Sequence, residues 1–280
     1  MDATRRQTLM AAAGFAPFLA VAEALAKADE TIEQAQARTT AARAAIGQLK
    51  NFKRFGDEEI AMLLYPNFTA LDLVGPQYFF ACMRGSKVHL VTTNDDLAPV
   101  MSDTGLAIQP TMRMADCPAD LDILFLPGGG GTPSALKDGA TVDFVADRAS
   151  RASLVTSVCT GALLLGRAGI LKGRNATTHW GWLEMLSEFG ATPVNERVVR
   201  DGNVITGAGV SAGIDFGISV VAGLRGEPYA RLVQLLAEYD PQPPFEGGSL
   251  EKTPPEIAEP MFDTYAVGRA KMRAYLDGKA

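Results

Sequence analysis

The residue best placed by its neighbours for covalent chemistry is Cys159. Residues 154–158, LVTSV, read as a short buried strand, and Thr160-Gly161-Ala162 opens an apolar helical run ending near 166–169. A side chain at a strand-to-helix junction without a loop sits in a tight, often strained turn. Ser157, Gly161 and Ala162 are small enough to permit it. The turn aims the sulfur into the crevice at the carboxyl ends of the strands. It also sets the sulfur beside the free N–H groups of a helix start, which favours thiolate and is expected to lower the thiol pKa below ~8.5. The alternative is a cysteine buried as a small apolar residue.

A cysteine nucleophile needs a proton partner and donors for developing negative charge. Residues 122–126 read as a buried strand running into Pro127-Gly128-Gly129-Gly130-Gly131. Candidate oxyanion donors are the backbone N–H of Gly129 and that of Thr160, directly after the nucleophile; a plain flexible turn is the alternative for the glycine run. Asp72 follows the first strand and falls on the same sheet edge as Cys159. Beside the thiol in an apolar pocket its pKa should rise, so that it could carry a proton at neutral pH; its alternative role is a helix cap. His179, in ATTHW, is a second candidate for substrate contact or proton transfer, with packing as its alternative, and His89 inside a strand reads as structural. Two histidines, with no H-E-x-x-H or C-x-x-C, argue against a metal site. Neither a G-x-G-x-x-G nor a G-x-x-x-x-G-K-[ST] loop is present, so no nucleotide cofactor is expected.

These residues need an α/β scaffold, and the chain has one written into it. The expected strands are 59–65, apolar on both faces as in a buried parallel sheet, then 87–93, 122–126 and 154–158. A pair follows at 194–200 and 204–206 across Asp201-Gly202-Asn203. A small hairpin involves 106–110. Helices are expected after Thr69, with Pro76 at a first-turn position, and at 142–150, 211–224, 229–239 and 256–277. Alternating strands and helices indicate a three-layer α/β fold with a mostly parallel sheet.

The 280 residues divide into a leader at 1–26, a helical spacer at 27–57, an α/β domain at 58–240, and a proline-rich segment with a terminal helix at 241–280. The leader has Arg5-Arg6, an apolar stretch and Ala24-Leu25-Ala26, the pattern of a twin-arginine export signal with A-x-A cleavage; Thr8 stands where such signals usually carry a bulky apolar residue. This implies a periplasmic protein, or a cytoplasmic one if the signal is not used. No apolar run reaches the roughly 20 residues of a membrane span. A net charge of −6 without a basic cluster argues against nucleic acid as a partner and leaves a small molecule. Of the three cysteines, at least one must be unpaired; Cys82 and Cys117 read as packing residues, with a disulfide between them left open.

Six segments in order, LDLVGP, LPGGGG, SVCTGALLLG, ATTHW, ERVVRDGNVITGAG and SAGIDF, resemble the ThiJ/PfpI superfamily and, within it, the isonitrile hydratase branch. The resemblance spans roughly 60–248. It implies a flavodoxin-like fold, a homodimer, a nucleophilic cysteine at Cys159 and an acidic partner at Asp72, where many members carry glutamate. Protease-like members carry histidine after the cysteine; Thr160 here counts against peptidase activity. The expected reaction is hydration of an isonitrile to an N-substituted formamide through a Cys159 thioimidate. The alternatives are a sensor whose Cys159 is oxidised or holds an adduct, and a glyoxalase or deglycase. Regulators that share these motifs add about a hundred residues of DNA-binding domain, and only one helix is expected here.

Overall fold

The computed structural model describes residues 30–278; the export signal expected at 1–26 lies outside them. The chain divides into two compact units, Met1–Leu49 and Lys50–Ala280. In the first, helix α1 (Ile32–Gly47) is started by a capping box in which Thr31 Oγ1 accepts from Gln34 N–H and the Gln34 side chain accepts from Thr31 N–H. None of its residues is buried, in keeping with its polar, alanine-rich composition. Residues 50–57, read above as spacer, belong to the second unit and are tied to it by Lys53 N–H to Arg225 O and Gly56 N–H to Arg84 O.

The second unit runs β1 (Glu59–Leu64), α2 (Ala70–Ala81), β2 (Lys87–Thr92), β3 (Val100–Met101), β4 (Ala107–Ile108), β5 (Met112–Arg113), β6 (Ile123–Leu126), α3 (Thr132–Ala135), α4 (Gly139–Ala149), β7 (Leu154–Val158) and α5 (Gly161–Arg167). It continues with β8 (Asn175–Ala176), a 3₁₀ segment (Trp180–Phe189), β9 (Thr192–Pro193), β10 (Val198–Asp201), β11 (Val204–Gly207), α6 (Ala212–Arg225), α7 (Glu227–Leu236), α8 (Pro255–Asp263) and α9 (Ala266–Leu276). The main sheet has seven strands in the order β10-β11-β7-β6-β1-β2-β5, and only the β10–β11 pair is antiparallel. This is the flavodoxin-like three-layer arrangement expected. β6, β7 and β11 are buried throughout and β1 almost so, which is why they read as continuous apolar runs.

Phe125 of β6 packs against Phe80 of α2 and Phe216 of α6, with ring centroids 6.2 and 5.7 Å away. Those tilted and edge contacts join the two helices to the centre of the sheet. Where the chain enters the sheet, the fully buried Arg225 at the end of α6 pairs with Glu58 through two guanidinium nitrogens and donates to Arg84 O at 3.2 Å. Burial alone would raise the Glu58 carboxyl, but the Arg225 hydrogen bonds pull it below its ordinary value. Among the described residues no helix is long and apolar enough to cross a membrane.

Several local features differ from the sequence-based expectation. Pro76 lies inside α2 rather than in its first turn; it removes the N–H that Asp72 C=O would accept from and packs against Gly213 of α6. β5 is only two residues long, and the 3₁₀ segment Trp180–Phe189 falls where no element is expected. The terminal helix is two helices, α8 and α9, meeting at Thr264-Tyr265. Cys82 and Cys117, by contrast, are as read: both are free thiols, Cys117 within the core and Cys82 packed against it, and the disulfide left open is not formed. His89 is paired with Glu59 across β1 and β2, consistent with a structural role.

Candidate active site

β7, β6 and β1 are neighbours and parallel, so their carboxyl ends deliver Cys159, the 127–131 turn and the segment leading to Asp72 side by side. Cys159 is in the left-handed region, φ +56°, a conformation that costs a non-glycine residue about 1–3 kcal/mol and is held by the surrounding structure. Its N–H donates to Gly207 O at 3.0 Å and Ala208 O at 2.8 Å, and its C=O accepts from Thr178 Oγ1 at 2.6 Å. With Ala162 N–H also donating to the Cys159 C=O at 3.3 Å, four hydrogen bonds on one strained residue fix the direction of the sulfur.

The glycines let three backbones converge. A Cβ on Gly128 would lie 2.4 Å from Thr160 N and 2.8 Å from Cys159 Cβ. Gly129, at φ +142°, has Thr69 N at 2.4 Å from the place of a Cβ. The run is therefore a packing requirement of the elbow as much as a turn.

Asp72 is the third residue of α2, whose N-cap is Thr69, so the carboxylate is not the helix cap. It points inward instead, fully buried, with Oδ2 accepting from Gly128 N–H at 3.0 Å. Oδ1 is buried without a hydrogen bond of ordinary geometry, and the polar group beside the carboxyl is the Cys159 thiol. Burial raises the Asp72 pKa from 3.8 to about 7; the Cys159 and Gly128 contacts oppose the rise, and the charge of Asp103 adds to it.

The expected lowering of the Cys159 pKa does not occur. Burial and the adjacent Asp72 push the thiol well above its ordinary value, outweighing hydrogen bonds from the Thr160 and Val210 backbone N–H groups that favour the thiolate. Asp72 and Cys159 thus form a coupled pair that holds a proton between them.

Thr160 contributes its backbone N–H to the sulfur, while its hydroxyl has a separate task. Tyr65 Oη donates to Pro127 O at 2.8 Å, Thr132 Oγ1 lies 3.0 Å from Tyr65 Oη, and Thr160 Oγ1 lies 2.7 Å from Thr132 Oγ1. Gly129 N–H donates to Thr160 Oγ1 at 3.0 Å. A carbonyl can only accept, so the chain has one direction: Thr160 donates to Thr132, Thr132 to Tyr65, and Tyr65 to Pro127. The Gly129 N–H is therefore occupied by Thr160 and is not a free oxyanion donor, because the elbow needs it to hold the nucleophile's neighbour.

Above the sulfur is a cavity of about 280 Å³. His179 lines it together with Thr69, Asp103, Trp182, Tyr265 and Met272. His179 Nδ1 accepts from Gly181 N–H at 3.2 Å, and burial lowers the ring pKa, so the imidazole is neutral with its proton on Nε2. Asp72, Thr160 and Val210 act on the thiol, and His179 lines the cavity above it. Asp103, which accepts from Thr69 Oγ1 at 2.5 Å, and the aromatic and sulfur-bearing wall from the C-terminal helices were not legible in advance. The Asp103 loop and the helices reach the site by long-range packing with no local motif; the run GAGVSAG before a helix was the one hint of the Val210 backbone donor. Among the described residues no group of three or more His, Cys, Asp and Glu side chains is arranged to hold a metal ion.

Residues 58–223 match the DJ-1/PfpI family. The chain is 47% identical over 201 residues to an isonitrile hydratase of Pseudomonas putida, covering 72% of this chain and 87% of that protein. It is 51% identical, with a TM-score of 0.75, to a solved ThiJ/PfpI family protein from Pseudomonas syringae, over 77% of this chain and 88% of the other. The Drosophila melanogaster DJ-1beta structure, 20% identical with a TM-score of 0.59 over 66% of this chain and all of the other, shares the fold. By its matching segment, its nearly full-length relatives and its sheet order, the chain belongs to the DJ-1/PfpI family.

Proposed function

We propose that the protein is an isonitrile hydratase that works through Cys159 and Asp72. The observation that carries the reading is the buried pairing of that thiol with a carboxyl whose pKa is raised to about 7. As Cys159 Sγ attacks the terminal carbon of R–N≡C, Asp72 takes the thiol proton and hands it to the same carbon, giving the thioimidate S–CH=N–R. The Thr160 and Val210 N–H groups support the charge on sulfur at the moment of attack. Water then adds across C=N, the S–C bond breaks, the formamide leaves and the thiol regains its proton. The strained, hydrogen-bonded elbow holds the sulfur in one direction, which is what a near-attack geometry of about 3–3.5 Å requires.

The cavity wall of Trp182, Tyr265, Leu163 and Met272 favours an apolar or aromatic R group. A sensor role is less well supported, because oxidation follows thiolate character and Cys159 is buried with a raised pKa. The homodimer is supported by an exposed apolar stripe on α2, Leu71, Val74 and Tyr78 at helical spacing. Export to the periplasm rests on Arg5-Arg6 and the A-x-A site of the leader. The test is consumption of an aryl isonitrile and appearance of its formamide, with Cys159→Ala alongside. Turnover in the wild type that vanishes in the variant is the expected result; equal turnover in both sinks the cysteine mechanism.

A further inference from the structure

The C-terminal helices bring a phenol to the site. Tyr265, at the corner between α8 and α9, lines the same cavity as Cys159 and lies outside the segment that matches the family. Its ring is held on several sides. His179 and Trp180 lie 5.4 Å away between centroids, and Trp182 lies 6.3 Å away. Gly181 gives it room, since a Cβ there would meet the Tyr265 ring at 2.8 Å.

The corner itself is anchored by the buried Arg269. Its Nη1 donates to Gly181 O at 3.0 Å and Phe262 O at 3.2 Å, and its guanidinium lies 4.0 Å from the Phe262 ring centroid. The Tyr265 hydroxyl, by contrast, has no hydrogen-bond partner among the described residues. It is close enough to Cys159 for charge on the sulfur to act on it. Arg269, Gly181 and three aromatic rings therefore fix a phenol whose polar end is used by nothing in the protein.

Resting on the hydratase reading, we propose that Tyr265 is the catalytic acid of the second half-reaction, donating its proton to the thioimidate nitrogen as water adds. The nitrogen of S–CH=N–R is two bonds from sulfur, inside the cavity whose wall Tyr265 forms. As the water oxygen bonds to carbon, the C=N π bond breaks and its electron pair takes the phenolic proton. The phenolate recovers a proton from the attacking water, leaving S–CH(OH)–NH–R and an unchanged tyrosine. Asp72 serves attack on the terminal carbon, and the two half-reactions use different acids.

The test is Tyr265→Phe with phenyl isonitrile, following steady-state turnover, single-turnover adduct formation and the intact mass of quenched protein. The ring contacts are kept and the hydroxyl has no internal partner, so the melting temperature should equal that of the wild type. The expected result is a kcat lower by roughly tenfold to a hundredfold. Adduct formation should stay within about twofold, KM should fall, and a Cys159 adduct of one isonitrile mass should accumulate during turnover. A role in packing alone would not separate the half-reactions. Unchanged kcat, or a loss without adduct accumulation, overturns the inference while the active wild type leaves the hydratase reading standing. Wild-type protein that neither consumes the isonitrile nor forms the adduct overturns both.

Discussion

Replacing Asp72 by asparagine should slow the enzyme and stabilise the protein, and the second effect can be worked out from the structure. The carboxyl titrates at about 7 when folded and near 3.8 when exposed. A group with a raised folded pKa leaves stability intact below its unfolded pKa and drains it as pH climbs to the folded value. Between pH 4 and pH 8 the wild type should therefore lose about 3–4 kcal/mol to this one group, at about 1.36 kcal/mol per pKa unit. Asp72 is fully buried, so solvent screening does not reduce the figure much. Asparagine can still accept from Gly128 N–H and carries no charge. Urea unfolding of wild type and Asp72→Asn at half-unit pH steps should show curves that meet near pH 4 and separate steadily up to pH 7–8, with the variant more stable. In a Cys159→Ala background the separation should widen, because the thiol contact opposes the rise in the Asp72 pKa. Parallel curves across this range would refute the account of a buried, reluctantly ionised carboxyl. Turnover in Asp72→Asn should fall by roughly a hundredfold.

The coupled pair is active with one proton, and its doubly protonated form lacks a nucleophile. The kcat/KM for an isonitrile should therefore rise with pH through about 7, and a flat profile from pH 6 to 9 would count against Asp72 as the proton carrier. Arg225→Met leaves Glu58 buried without its cation and should destabilise the fold by about 3–5 kcal/mol in chemical denaturation, with Glu58→Gln on top recovering part of it; an unchanged midpoint would show the pair to be dispensable. Gly128→Ala drives a methyl into Thr160 N and Cys159 Cβ, so thiol alkylation kinetics and turnover should both change sharply even where circular dichroism does not.

The sequence alone carried the class of fold and its reactive centre. Buried parallel strands write themselves as two-sided apolar runs, and the elbow at Cys159 is local: strand, cysteine and small residues adjoin along the chain. Asp72 was legible as a candidate because a residue just after one parallel strand must reach the same sheet edge as one just after another. What the sequence left open was which influence would win at each group. A helix start favours a thiolate, yet burial and a carboxylate neighbour raise the Cys159 pKa, and both depend on packing from β1, β6 and α2. The Gly129 N–H looked free along the chain and is taken by a hydroxyl 31 residues away. Tyr265 reaches the cavity only because a helix corner, pinned by Arg269 on Gly181, lies over the 3₁₀ segment. Local pattern determines elements and turns; desolvation, hydrogen-bond competition and long-range contacts are properties of the folded neighbourhood, and only the tertiary structure decides them.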